Sequence, residues 1–337
     1  MKNRLFIQIV AVIVVAIILS SLFYFLICTG LRQSNQNANK QDALGEIGRQ
    51  SSVEDIGRMN YMFYDTTYYS TLFFGASTIK FEVNNVLFDS IAKTRSLNAS
   101  IEGGKITELT VLLKKYVKSH GAPKTLIITL DENTIVRDST DVWLYPKYYP
   151  YVYDPDFKVL LDKEPKLVLG KYFPPYALTV MSSSIKANGI KSFFFPAKTP
   201  QVWRQGYSPV VTNLHGVMKL EETILREDSL GWKMFSDFLT FLGEKKVHVY
   251  IIIPPKLKSK NCSASTLALI SKIKSFENKY ALNIYDYSAD PINDSTELFF
   301  DYRHLNAVGA DIFTKKLAER FVSERAGGTD LTIQSAQ

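Results

Sequence analysis

Four short stretches carry residue types that together could perform acyl transfer: Gly75-Ala76-Ser77, Gly103-Gly104, Asn133, and Asp301-Tyr302-Arg303-His304. Ser77 supplies a hydroxyl that a neighbouring base can turn into a nucleophile, and its own backbone N–H can point at a developing oxyanion. A glycine at 103 or 104 lets a second backbone N–H approach closely, and Asn133 offers a third donor from its side chain. Asp301 and His304 are three residues apart, about one helical turn. The carboxylate can then accept the Nδ1 proton and leave Nε2 as the base toward Ser77.

Each piece also has an ordinary structural reading. Ser77 could cap the helix that follows, Gly103 and Gly104 could serve a turn, and Asn133 could sit in a turn after a strand. Asp301 could open the last turn and His304 could be a packed core histidine. What favours a site is their joint occurrence in this order, each placed just past a strand or just before the last helix.

The elements that must position these residues alternate. The apolar run STLFFGAS (70 to 77) reads as a strand, followed by a helical pattern from 82 to 92 and a short strand near 95 to 100. In KITELTVLLKKYVKSHG (105 to 121), Ile106, Leu109, Leu113 and Tyr116 fall on one helical face, and Gly121 is a natural stop. KTLIITL (124 to 130) and VHVYIIIPP (247 to 255) fit buried parallel strands. Helices are expected in WKMFSDFLTFLGEKK, STLALISKIKSFENKY and NAVGADIFTKKLAERFVSE, with a strand in LNIYDYS. The expected fold is α/β: a three-layer α/β/α sandwich around a mostly parallel sheet, whose strand carboxyl ends gather the candidate residues.

The amino end has another character. Leu5 to Cys28 is 24 residues without a charge, about 36 Å as a helix and enough to cross a hydrocarbon core of roughly 30 Å. It is too long for the apolar core of a secretory signal, and FLICTG offers no A-x-A cleavage pattern, so an uncleaved transmembrane anchor is expected over 5–28. The short basic end at 1–4 is expected in the cytoplasm, which places the rest of the chain in the periplasm or outside the cell. A polar stalk is expected over 29–54, and a tail over 326–337 is expected to be disordered.

The net charge of +7 includes Lys2, Arg4, Arg32 and Lys40 within the first 40 residues, which hold no acid. The remaining +3 is scattered between acids, so nothing points to nucleic acid. Two cysteines, Cys28 and Cys262, and four histidines give no disulfide framework and no metal-ligand spacing, and no cofactor is expected. Sequons stand at Asn98, Asn261 and Asn293. The α/β domain is expected over 55–325, interrupted between about 134 and 230 by an aromatic, proline-rich stretch too long for an ordinary connection and read as an inserted subdomain or lid. Its tyrosines and tryptophans could stack on sugar rings, but packing is the favoured role.

The order Gly-x-Ser, Gly, Asn and Asp-x-x-His resembles the SGNH (GDSL-type) hydrolase superfamily, and FFDYRHLNAVGADIF is similar to its last block. The resemblance spans roughly residues 70 to 325. It implies Ser77 as nucleophile, Ser77, Gly103 or Gly104 and Asn133 in the oxyanion hole, and His304 with Asp301 as base and orienter. The first block reads Gly-Ala-Ser where Gly-Asp-Ser is usual, and the third reads Asp-Glu-Asn-Thr in place of Gly-x-Asn-Asp; neither change removes the nucleophile or a proton relay. The anchored layout looks like the membrane-tethered branch that serves envelope acylation, such as D-alanyl transfer and alginate acetylation proteins. That implies a serine esterase or O-acyltransferase whose partners are an envelope polysaccharide or lipid, the membrane and, for a transferase, a membrane-bound acyltransferase. Two rivals are a non-catalytic scaffold that binds glycan or membrane proteins and a secreted lipase.

Overall fold

The computed structural model describes residues 2–33, 47–130, 132–135, 142, 144–196, 206–210, 229–257 and 264–334; at 2–3, 47–52, 132–133, 264–266 and 327–334 it describes the backbone alone. In chain order the elements are α1 (Lys2–Arg32), α2 (Ile47–Tyr64), β1 (Thr71–Phe74), α3 (Ser77–Glu82), α4 (Asn85–Ala92), β2 (Ser96–Asn98), α5 (Ile106–His120), β3 (Thr125–Thr129) and α6 (Glu132–Ile135). They continue with α7 (Lys158–Lys163), α8 (Pro165–Tyr172), α9 (Pro174–Val180), α10 (Ser183–Phe194), α11 (Ser229–Glu244), β4 (His248–Ile253), α12 (Ala264–Lys274), α13 (Glu277–Tyr280), β5 (Asn283–Asp286) and α14 (Ala307–Gln334). The chain folds as two compact units, one of residues 1–65 with 140–202, the other of 66–139 with 203–337.

The second unit is α/β. Among the described residues its five strands form one sheet, parallel throughout, in the order β2-β1-β3-β4-β5. The strands are short apolar runs because both of their faces are buried. Phe73, Ile127, Ile252 and Tyr285 enter a core with Ile79, Phe88, Phe313, Leu317 and Phe321 from α3, α4 and α14. Their neighbours Leu72, Leu126, Ile128 and Ile251 are equally buried on the alternate positions. On α5, Ile106, Leu109, Leu113 and Tyr116 are all buried, as their spacing predicts, and α11 packs against α5 and β4. Because the chain leaves β1 for β2 on one side and returns to β3 on the other, the carboxyl ends of β1 and β3 border a topological switch, the place where open α/β sheets form sites.

The first unit is helical, and it corrects the expected boundaries. The α/β unit begins at 66 rather than 55, and the interruption runs from 140 to 202 and joins the amino-terminal helices in one core. The reason is packing: Phe63 of α2 meets Tyr151 and Phe157 edge-on at 5.9 and 6.0 Å, and Asp55 pairs with Lys147 at 3.4 Å with both side chains fully buried. Tyr148, Tyr149 and Tyr151 of this stretch follow the packing role and are buried, whereas Tyr153 and Tyr172 are exposed. Half of the expected stalk, 34–46, lies outside the described residues, but 29–32 continue α1 and 47–54 are helical in α2. Of the tail expected over 326–337, residues 326–334 continue α14, and 335–337 lie outside the described residues. Helix α1 is long and apolar enough to cross a membrane.

Candidate active site

Ser77 is the first residue of α3, reached through a turn at Gly75, whose φ of +145° lies where side chains are disfavoured. A Cβ on Gly75 would also stand 2.7 Å from Thr129 Oγ1, so glycine is required for β1 to pass so close to the end of β3. Thr129 Oγ1 lies 2.9 Å from Thr78 Oγ1, which fastens the start of α3 to that strand.

His304 comes to Ser77 from the far end of the chain. Phe299 and Leu305 form an antiparallel bridge, and the Phe300 N–H donates to the His304 carbonyl at 2.8 Å, so residues 299–305 make a narrow loop before α14. Asn306 ends the loop by accepting from the N–H groups of Val308 and Gly309 at 3.1 and 3.0 Å, which caps α14. The Leu257 N–H donates to Tyr302 O at 3.2 Å and ties the loop to the segment that follows β4.

The resulting line of contacts is direct. Ser77 Oγ lies 2.9 Å from His304 Nε2, and His304 Nδ1 lies 3.0 and 2.9 Å from Asp301 Oδ1 and Oδ2. The expected helical turn between Asp301 and His304 is absent, because α14 begins only at Ala307. Asp301 is instead held by its own turn, accepting the N–H groups of Arg303 at 2.7 Å and His304 at 2.8 Å. Burial pushes the Asp301 carboxyl up, but the hydrogen bond and charge of His304, with those two N–H groups, more than offset it and hold the carboxyl below the ordinary aspartate range. Phe81 stands edge-on to the imidazole at 5.5 Å. His304 and Asp301 keep 15% and 22% of their side-chain surface open, so the site is reachable.

The loop after β2 lies beside this turn. Ile101 N–H donates to Gly75 O at 3.1 Å, and a Cβ on Gly104 would stand 3.3 Å from the same oxygen. Gly104 N–H donates to Ile101 O at 3.3 Å within its own turn, while Gly103 takes a φ of +63°. Glu102 pairs at 3.6 Å with Lys80, a fully buried ammonium of α3, which braces the loop against the helix that carries Ser77. Asn133 falls in α6, but its side chain lies outside the described residues, as does Asp131.

Residue patterns alone did not single out Asn98. This side chain is fully buried at the end of β2 and donates to Ile79 O at 2.9 Å and Val83 O at 3.3 Å, holding α3 against the strand. The available signal was an asparagine at the end of a short strand, Ser96–Asn98, within the sequon Asn-Ala-Ser. Of the three sequon asparagines, Asn98 and Asn293 are both buried with their amide nitrogens engaged; Asn261 lies outside the described residues. Among the described residues no group of His, Cys, Asp and Glu could hold a metal ion.

A hydroxyl, an imidazole and a carboxylate in this sequence of contacts define an arrangement able to activate the hydroxyl as a nucleophile. No protein-family model matches the chain, and no curated protein matches it either.

Proposed function

We propose that the chain is a membrane-anchored serine esterase or O-acyltransferase of the SGNH type, with its α/β unit, a three-layer sandwich, outside the cytoplasm and acting on a cell-envelope glycan or lipid. The observation that carries the reading is the pair of contacts at His304: 2.9 Å to Ser77 Oγ on one nitrogen and 2.9 Å to the Asp301 carboxylate on the other. Ser77 Oγ attacks the carbonyl carbon of an acyl ester while its proton passes to His304 Nε2. Asp301 stabilises the imidazolium, which then protonates the departing alcohol and leaves an acyl-Ser77. Water or a sugar hydroxyl, deprotonated in turn by His304, resolves that ester. The backbone N–H groups of Ser77 and Gly103 are the donors assigned to the oxyanion, because Gly104 N–H is committed to its turn. Asn133 completes the set by resemblance. The length and apolarity of α1 support the anchor.

The test is labelling of the full-length protein, in membranes and in detergent, with a fluorophosphonate that reacts only with activated serines. Wild type is expected to label and Ser77→Ala and His304→Ala are expected not to. A folded wild type that fails to label in both settings would leave the fold as a binding scaffold.

A further inference from the structure

The exposed part of α1 ends where its packing begins. Arg4 to Phe23 is exposed or half-exposed along its whole length, and burial starts at Tyr24. Those 20 residues rise about 30 Å, the thickness of a hydrocarbon core, so the rest of the helical unit starts at the level of the lipid headgroups.

An apolar surface continues from the helix at that level. Phe25 stacks on Tyr153 at 5.8 Å, and Tyr153 donates its hydroxyl to Lys171 O at 2.8 Å. The Lys171 ammonium lies 5.6 Å from both the Tyr153 and the Tyr172 rings. Tyr172 is 77% exposed and Leu169 47%, and both line an open groove on α8 of 410 Å³. Large apolar groups this exposed and continuous with a membrane-crossing helix are costly in water and favourable at a bilayer interface, where tyrosine rings settle and lysines reach out to headgroups. The charge agrees: residues 165 to 195, which span α8 to α10, hold Lys166, Lys171, Lys186 and Lys191 and no acid, and the one acid lining the groove, Asp162, is paired with Lys158 at 2.6 Å.

We propose that this face of the helical unit, centred on Leu169, Lys171 and Tyr172, is seated in the headgroup layer of an anionic membrane. The inference rests on the reading of α1 as a membrane span. Its consequence is that the helical unit is held to the bilayer by two elements, the span and the α8 face, and cannot swing freely about the span.

The test uses full-length protein in vesicles of phosphatidylcholine with phosphatidylglycerol, with Cys28→Ala and Cys262→Ser together as background and an environment-sensitive fluorophore placed singly at Ile13→Cys, Leu169→Cys or Tyr172→Cys. Two sites on α8 guard against one substitution that fails to fold, and wild-type resistance of residues 140–202 to protease checks each protein. The labels at 169 and 172 are expected to lose emission to a lipid quencher near the headgroups and to be shielded from aqueous iodide; the label at 13 is expected to respond to a quencher deep in the acyl chains. Loss of shielding at 169 and 172 in phosphatidylcholine alone would support the anionic preference. If 13 is quenched by lipid while 169 and 172 respond only to iodide, the span stands and the seated face is wrong. If 13 does not respond to lipid, the span itself is wrong and the proposal falls with it.

Discussion

At the scale of single residues, Asp301 has two roles that can be separated. It orients His304 through Nδ1, and it is a carboxylate held ionised by a partner and by two backbone N–H groups. Asp301→Asn keeps the size but can present an amide N–H to Nδ1, which favours the wrong tautomer, so the labelling rate of Ser77 should fall on the order of 10⁴-fold. Labelling at the wild-type rate would remove Asp301 from the orienting role. The second role appears in stability. Because the folded carboxyl titrates below the ordinary aspartate value of 3.8, it binds a proton less readily than in the unfolded chain. Its contribution is therefore full above that value and is lost as pH falls through the depressed folded one. Thermal melts should show wild type above Asp301→Asn at neutral pH and the two converging in strong acid; a gap that persists there would mean the loss is steric.

At the scale of elements, Ser77, the proposed nucleophile, is carried by α3, which is fixed to two strands, by Thr78 to β3 and by Asn98 to β2. Asn98→Ala leaves the Ile79 and Val83 carbonyls without that donor in a buried place, and should cost roughly 1–3 kcal/mol. Asn98→Asp should cost more, because it turns an acceptor toward those carbonyls. Urea melts of the full-length protein, with labelling at Ser77, measure both; an Asn98→Ala protein with unchanged midpoint and labelling would show that α3 is held elsewhere. These elements were largely legible in the sequence. β1, β3 and β4 lie in apolar runs ended in the sequence by Gly75, Asp131 and two prolines, and α5 has a clean helical face. The loop around Asp301 was not. Periodicity needs several turns to register, whereas this segment is seven residues whose shape depends on one carboxylate accepting two N–H groups.

At the scale of the molecule, the chain passes between its two units three times, and this was the least visible feature in the sequence. Helices α7 to α10 are 6 to 12 residues long, and α8 and α9 begin at prolines, so each carries too little pattern to stand out. The partners of α9 and α10 are α1 and, for α10, also α2, more than 75 residues earlier in the chain, and no local window shows such a pairing. The seam is closest at α1 and α10: a Cβ on Gly189 would stand 2.7 Å from the Ile27 carbonyl oxygen, and one on Gly30 would collide with the Gly189 backbone. Small residues let two helix backbones approach this way, and a larger side chain has no place to go. Gly189→Leu should therefore force α10 from α1, at the upper end of the 1–3 kcal/mol that overpacking typically costs or beyond. The sheet, the site and the large core around Phe73 and Phe313 belong wholly to the other unit. The expected outcome in membranes is faster protease cleavage within 140–202 with Ser77 still labelled by fluorophosphonate. Loss of labelling in step with cleavage would mean that the two cores unfold as one, and that the helical unit supports the site as well as the anchor.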